Sequence, residues 1–219
     1  MKISGILFDL DGTLVNTWDL YLEAYKLTVQ PYVRKELTNK DIERSKPTPE
    51  LHFIERVIPE KERDHAFKRF ITHYGDLYDS KSGGMYEGIS LMLQKIRQSG
   101  YSLGIFTGKS SQAWDITSRK EDIGHFDVVI TDSDVDHHKP HPEGLQKAAS
   151  GLELDVTNVL YVGDNLMDYH TAKDAGSQFA AALWSKSPEE KQVFREEAGK
   201  AGVRWFLNQP GELFDLLKG

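Results

Sequence analysis

Apolar residues follow two different rhythms along this chain. From about residue 16 to residue 78 they recur every three to four positions, the period of an amphipathic helix; outside that stretch, short continuous apolar runs alternate with helical segments. The first run, Ile3 to Phe8, lacks the alternation of a half-exposed strand and reads as a buried parallel strand. Trp18, Leu22, Tyr25 and Val29 then mark a helix that Asn16 or Thr17 caps and Pro31 ends. Thr38-Asn39-Lys40-Asp41 is a capping-box variant for a short helix. Thr48-Pro49-Glu50 reads as an N-cap with proline at the first helical position, ahead of a stripe of Leu51, Ile54 and Val57. A longer helix runs from about Glu60 to Tyr78, its core face marked by Ala66, Phe67, Phe70, Ile71, Tyr74 and Tyr78.

Ser80 to Gly84 is small, flexible and the best linker in the chain. Beyond it the pattern predicts helices over about Ile89–Gln98, Gln112–Lys120, Pro142–Ser150 and Met167–Ala175, a capped helix from Ser187, and a last one over Pro210–Lys218. Strands fall between them at Tyr101–Phe106, Val128–Thr131, Val159–Val162, Phe179–Leu183 and Arg204–Leu207. Such alternation implies right-handed βαβ units, hence an α/β fold with a doubly wound, mostly parallel sheet. The expected division is a core of residues 1–15 and 85–219, interrupted by a helical insert, 16–84, that emerges at the end of the first strand and covers it like a lid.

Composition narrows the function. A chain of 219 residues can bury one core plus a small insert. The net charge of −7 argues against nucleic acid or an anionic membrane as partner, and means that an anionic substrate needs local cations or a metal. With no cysteine, thiolate catalysis, disulfides and cysteine zinc sites are excluded. No apolar run approaches the roughly 18–20 residues that span a bilayer, and the N-terminal residues carry no signal-peptide pattern, so a soluble, cytoplasmic protein is expected.

The candidate chemistry sits at strand ends. Asp9 and Asp11 close the first strand, followed by Gly12, whose freedom suits a sharp turn. A calcium loop does not fit, because the twelfth position counted from Asp9 is Leu20 where a bidentate glutamate is needed. Thr107, Lys139, Asp164 and Asp168 lie at or just beyond the ends of later strands. In a parallel sheet those ends share one edge, where open α/β sheets bind ligands. Carboxylates, a lysine and a hydroxyl gathered there suit phosphoryl transfer, which needs a nucleophile, a divalent metal and support for the equatorial oxygens. His137, His138 and His141 flank Lys139 and are read as an exposed loop, since the carboxylates already form a hard-cation site.

Asp9-Leu10-Asp11-Gly12-Thr13, Thr107, Lys139-Pro140 and Gly163-Asp164-Asn165-Leu166-Met167-Asp168 resemble, in order, the four motifs of the haloacid dehalogenase superfamily. The helices between the first and second motifs resemble its helical cap on a Rossmann-like core. The nearest subgroup is the phosphoglycolate-phosphatase-like hydrolases; beta-phosphoglucomutases and a bacterial inorganic pyrophosphatase share the layout. The resemblance implies that Asp9 is the nucleophile and that Asp11 protonates the leaving oxygen and then activates water. It implies Mg²⁺ on Asp9, the Asp11 carbonyl and Asp164, with Asp168 acting through a metal water or on Lys139. Lys139 would neutralise charge on the nucleophile and phosphoryl group, and Thr107 with the Gly108 N–H would hold a phosphoryl oxygen. Dehalogenases of the family lack the second aspartate, because a leaving halide needs no proton; Asp11 therefore favours phosphate chemistry.

Substrate choice is expected in the insert, where Arg44 or Lys46, on the turn Arg44 to Thr48, would meet a substrate carboxylate or second phosphate. Lys46-Pro47 and Asn16 depart from residues frequent in phosphoglycolate phosphatases. The expected activity is a Mg²⁺-dependent phosphatase acting through an aspartyl-phosphate on a small phosphorylated metabolite, as a monomer or weak homodimer. A sugar phosphomutase or an inorganic pyrophosphatase on the same core is the enzymatic alternative. A non-catalytic phosphate-binding regulatory protein is the alternative of another class, against which the intact Asp11 argues.

Overall fold

The computed structural model describes residues 2–44 and 50–218. The strands are β1 (Gly5–Phe8), β2 (Ser102–Phe106), β3 (Val128–Ile130), β4 (Val159–Gly163), β5 (Gln178–Ala182) and β6 (Trp205–Leu207). They form one sheet in the order β3-β2-β1-β4-β5-β6, with every pairing parallel. The chain steps from β1 outward to β2 and β3, then returns to the other side of β1 for β4. The switch in direction falls beside β1, where Phe8 is in register with Ile105 on one flank and Val162 on the other.

Both faces of β1 are covered, which explains its unbroken apolar run. Ile6 and Phe8 join one core cluster with Ile89, Met92 and Leu93, while Leu7 joins the opposite one with Leu145, Tyr161 and Ala172. The flanking helices here are α5 (Ile89–Gln98), α6 (Ser111–Lys120), α7 (Glu143–Gly151), α8 (Leu166–Ala175), α9 (Pro188–Ala201) and α10 (Leu213–Lys218), numbered after the four described next. Several begin where a side chain answers the free N–H groups of a first turn: Ser110 for α6, Asn165 for α8, and the Ser187–Glu190 capping box for α9. Residues Pro210–Glu212, expected within the last helix, form a 3-10 turn ahead of α10.

Between β1 and α5 lie α1 (Trp18–Val29), α2 (Asn39–Arg44), α3 (Glu50–Val57) and α4 (Arg63–Lys81), with a 3-10 turn before α4. They enclose their own apolar cluster, in which Tyr25 packs on Phe53 and Phe70 with ring centroids 4.4 and 4.7 Å away. The Thr38–Asp41 cap forms in both directions at the start of α2. The Thr48-Pro49 cap lies outside the described residues. Ser80 and Lys81, expected in the linker, belong to α4, because buried Tyr78 still packs there and its carbonyl accepts the Ser82 N–H. The segments entering and leaving these helices run side by side. Asn16 N–H donates to Gly84 O (2.8 Å), Gly83 N–H to Asn16 O (2.8 Å), and Tyr86 N–H to Leu14 O (3.1 Å).

One glycine shows how closely helix and sheet approach. A Cβ on Gly144 in α7 would lie 2.2 Å from Cε2 of buried Phe106, a rigid ring at the end of β2. Helix propensity alone favours alanine by up to about 1 kcal/mol, but overpacking costs about 1–3 kcal/mol. Gly144→Ala should therefore lower stability, measured as the urea midpoint; a variant as stable as wild type would show that the ring yields freely.

Candidate active site

The end of β1 presents two carboxylates in different settings. Asp9 is buried, and its N–H continues the ladder to Val162 O (2.8 Å). Asp11 follows two residues on and is partly exposed, with 28% of its side-chain surface accessible. Gly12 then turns with φ +79°, and a Cβ there would lie 2.7 Å from Asp164 Oδ2, so this position demands glycine twice over.

Lys139 reaches in from the loop after β3. Its Nζ donates to Asp9 Oδ1 (2.9 Å), Asp168 Oδ1 (2.8 Å) and the Tyr161 hydroxyl, which uses all three of its protons. Tyr161 in turn donates to the Phe106 carbonyl (2.8 Å). Asp168, on the first turn of α8, has no exposed surface, and its second oxygen accepts the Asp164 N–H (3.2 Å). Asp164, just past β4, is paired by Lys186 Nζ (3.0 Å) and Asn165 Nδ2 (3.1 Å). Carboxylate oxygens of Asp9, Asp164 and Asp168 lie within 4.8 Å of one another, a donor set suited to a hard divalent cation.

Burial pushes the Asp9 carboxyl well above the usual range, against the pull of Lys139 and with added repulsion from Asp168 and Asp164. Burial raises Asp164 likewise, opposed by Lys186. Burial alone would lower the Lys139 ammonium, yet Asp168 and Asp9 outweigh it and hold the group above the ordinary lysine value.

A cavity of about 610 Å³ opens over these groups and reaches between the sheet edge and α1. Thr107 and Gly108 line it at the end of β2. The Thr107 hydroxyl accepts the Lys109 N–H (3.2 Å), which leaves its proton for a group in the cavity. The far wall brings Asn16, Trp18, Tyr21, Tyr25 and Glu50 from the inserted helices.

The structure thus brings Asp9, Asp11, Thr107, Gly108, Lys139, Asp164 and Asp168 to one rim. Arg44 is not brought there: it ends α2 exposed to solvent and does not line the cavity, so the reach expected of it into the cleft is not present. Lys46 lies outside the described residues. Of the three loop histidines, His137 bonds Glu143 (2.9 Å) and His138 bonds buried Asp132 (2.7 Å), while His141 accepts the Glu143 N–H (3.3 Å). His137, His141 and Glu143 also sit close enough to share an ion, but the Glu143 oxygens are already taken by Lys147 and two backbone N–H groups.

Sequence reasoning missed Lys109, Lys186, Tyr161, Tyr21 and Glu50. Lys109 and Lys186 follow strand ends, the rule that located the other groups, so both were within reach. Tyr161 gave no signal, because a tyrosine inside an apolar strand reads as core.

Residues 6–182 match the model of the haloacid dehalogenase-like hydrolases. The chain is 34% identical over 192 residues to the pyrophosphatase PpaX of Bacillus thuringiensis and of Bacillus anthracis, covering 84% of this chain and 85% of the relative. Among solved structures it resembles a predicted phosphoglycolate phosphatase from Haemophilus somnus (TM-score 0.81, 18% identity, 99% of this chain and 98% of the other). It also resembles CbbY from Rhodobacter sphaeroides in complex with phosphate (TM-score 0.78, 21% identity, 96% of each chain). At those identities the two structures speak for the fold.

Lys139→Met tests the rim. Removing one member of a buried ion pair costs about 3–5 kcal/mol. A folded-state carboxyl above its unfolded value binds extra protons, so its contribution falls as pH rises above the unfolded pKa. Losing the lysine raises Asp9 further. The variant should therefore be destabilised more at pH 8 than at pH 5, read from urea midpoints, and equal losses would contradict the pairing.

Proposed function

Because the chain belongs to the haloacid dehalogenase-like hydrolases, we propose that it is a Mg²⁺-dependent phosphohydrolase that acts on a small phosphorylated metabolite through an aspartyl-phosphate on Asp9. The observation that carries this reading is the pairing of Asp9 with Lys139 beside Asp164 and Asp168, with Asp11 presented to the same cavity two residues on.

Three crowded carboxylates, two buried and one half-buried, with Asp9 and Asp164 driven above their usual range, are what a hard cation would relieve, so the residues fit the metal. Asp9 and Asp164 would hold it, with the Asp11 carbonyl. Bound there, Mg²⁺ supplies positive charge that offsets repulsion between the nucleophile and the phosphoryl oxygens. Asp168 already spends both oxygens on Lys139 and the Asp164 N–H, and so positions other groups.

In the first half-reaction an Asp9 oxygen attacks phosphorus, the bond from phosphorus to the leaving oxygen breaks, and that oxygen takes the Asp11 proton. In the second, water gives a proton to Asp11 and attacks phosphorus, the bond to Asp9 breaks, and phosphate departs with Asp11 protonated as at the start. Lys139 keeps Asp9 aimed and offsets phosphoryl charge, while the Thr107 hydroxyl and Gly108 N–H hold a phosphoryl oxygen. Residues 16–84 act as the cap that closes over the leaving group.

A second reading is hydrolysis of inorganic pyrophosphate, favoured by the 34% identity to a pyrophosphatase. A panel of phosphate monoesters together with pyrophosphate, assayed with and without Mg²⁺, separates the two. Asp9→Asn should lower turnover at least about 10³-fold, because the covalent route is gone; activity near wild type would exclude the mechanism.

Metal binding requires ionised ligands and releases protons. Since Asp9 and Asp164 both stand above their usual range, excess Mg²⁺ should raise the melting temperature more at pH 8 than at pH 5. No shift at either pH would remove the metal from this site.

A further inference from the structure

Below the cavity lies a second buried ammonium that the reaction above leaves unused. Lys109, just past β2, has no side-chain exposure. Its Nζ donates to the hydroxyls of Tyr21 and Tyr74, both at 2.7 Å, and reaches Asp11 Oδ1 at 3.1 Å. The two hydroxyls accept its hydrogen bonds and Asp11 stands beside it as an ion pair, and the charge also lies 4.3 and 4.6 Å from the two ring centroids.

We propose that Lys109 is a positioning residue that couples seating of the inserted helices to the orientation of Asp11. This rests on the reading of Asp11 as the acid–base group.

The direction of every bond around Lys109 is fixed. Tyr21 spends its one proton on Glu50 Oε1 (2.6 Å), and the other Glu50 oxygen accepts the Ser110 N–H (3.1 Å). Thr117 donates to Ala113 O (3.0 Å), so its oxygen accepts from Tyr74 (3.0 Å). Both tyrosine hydroxyls therefore face Lys109 as acceptors. They stand on α1 and α4, whereas Lys109 belongs to the sheet edge. If those helices lift, the ammonium loses both of these hydrogen bonds, and a buried charge without hydrogen bonds is costly. The position of Lys109, and with it the Asp11 contact, depends on the helices being seated.

Asp11 Oδ1 is claimed twice. The Thr17 hydroxyl also donates to it and does not cap α1 from the N-cap position it occupies. The carboxyl is thus held through Oδ1 by one group from the sheet edge and one from the start of the inserted helices, and among the described residues nothing bonds Oδ2.

The test compares wild type, Lys109→Met, Tyr21→Phe and Tyr74→Phe on aryl and alkyl phosphates of increasing leaving-group basicity, with Mg²⁺, reading single-turnover release of the leaving group. A misplaced acid matters most for poor leaving groups. Lys109→Met should therefore lose about 10–100-fold on alkyl phosphates, with little loss on p-nitrophenyl phosphate. The two phenylalanine variants should show the same pattern more weakly and add little to Lys109→Met. They retain the lysine and carry the test if Lys109→Met does not fold. Equal losses on every substrate, or tyrosine effects that multiply with that of Lys109, would overturn the coupling. A wild type inactive on all esters would instead defeat the phosphatase reading, whereas an active wild type matched by Lys109→Met would defeat this inference alone.

Discussion

Two carboxylates two residues apart, at the closed end of a buried strand, repel one another and resist burial. The structure answers each with its own lysine. Lys139 holds Asp9 from one side with three hydrogen-bond acceptors around its ammonium, and Lys109 pairs with Asp11 from the other while hydrogen-bonding two tyrosine hydroxyls. In a medium of low dielectric, a polar network that lacks one partner is costly, whereas a complete one is rigid. Completeness here requires groups from β2, β4, the loop after β3, α8, α1 and α4 at once. The rest of the fold can be viewed as the framework that delivers them.

The two networks differ in what they tie together. That of Lys139 lies within the sheet and its own loops: Tyr161, Phe106 and Asp168 are all fixed by strand register or by the first turn of α8. Gly163 is part of that closeness, since a Cβ there would lie 2.5 Å from Asp168 Oδ2. The Lys109 network instead crosses from the sheet edge to the inserted helices. A nucleophile must be aimed before substrate arrives, while a general acid is needed only once the leaving group is enclosed. In the proposed reaction, a fixed mount for Asp9 and a cap-dependent mount for Asp11 would match that order of events.

Much of this was legible in the sequence, for physical reasons. Strand ends in a parallel sheet converge, so Asp9, Thr107, Lys139 and Asp164 could be placed on one rim from their positions after apolar runs. Cap residues were readable where a short polar side chain stood before a periodic stretch, as at Thr38 and Ser187. Thr17 was misleading: it holds the N-cap position, but its hydroxyl answers Asp11, because a charged acceptor is the stronger partner. Arg44 was hidden for another reason. Whether a cation on a helical turn faces a cleft depends on the packing angle of its helix, and no local pattern encodes that angle. Tyr74 reads correctly as core and Tyr21 gives no signal, yet their rings and hydroxyls do separate work, and only the three-dimensional arrangement shows a lysine between the hydroxyls.

The local charge explains how a chain of net charge −7 can receive an anion. Ion pairs link four carboxylates, Asp9, Asp11, Asp164 and Asp168, to three ammoniums, Lys109, Lys139 and Lys186. With the Asp11 proton that the proposed reaction requires, three carboxylates face three ammoniums, so the rim by itself offers a phosphate no net attraction. A divalent cation held by Asp9 and Asp164 would add positive charge and would replace the hold of Lys186 on Asp164. On the proposed function, phosphate binding would then depend on the metal, and Lys186, which lines the same cavity, would find an acceptor in the incoming anion.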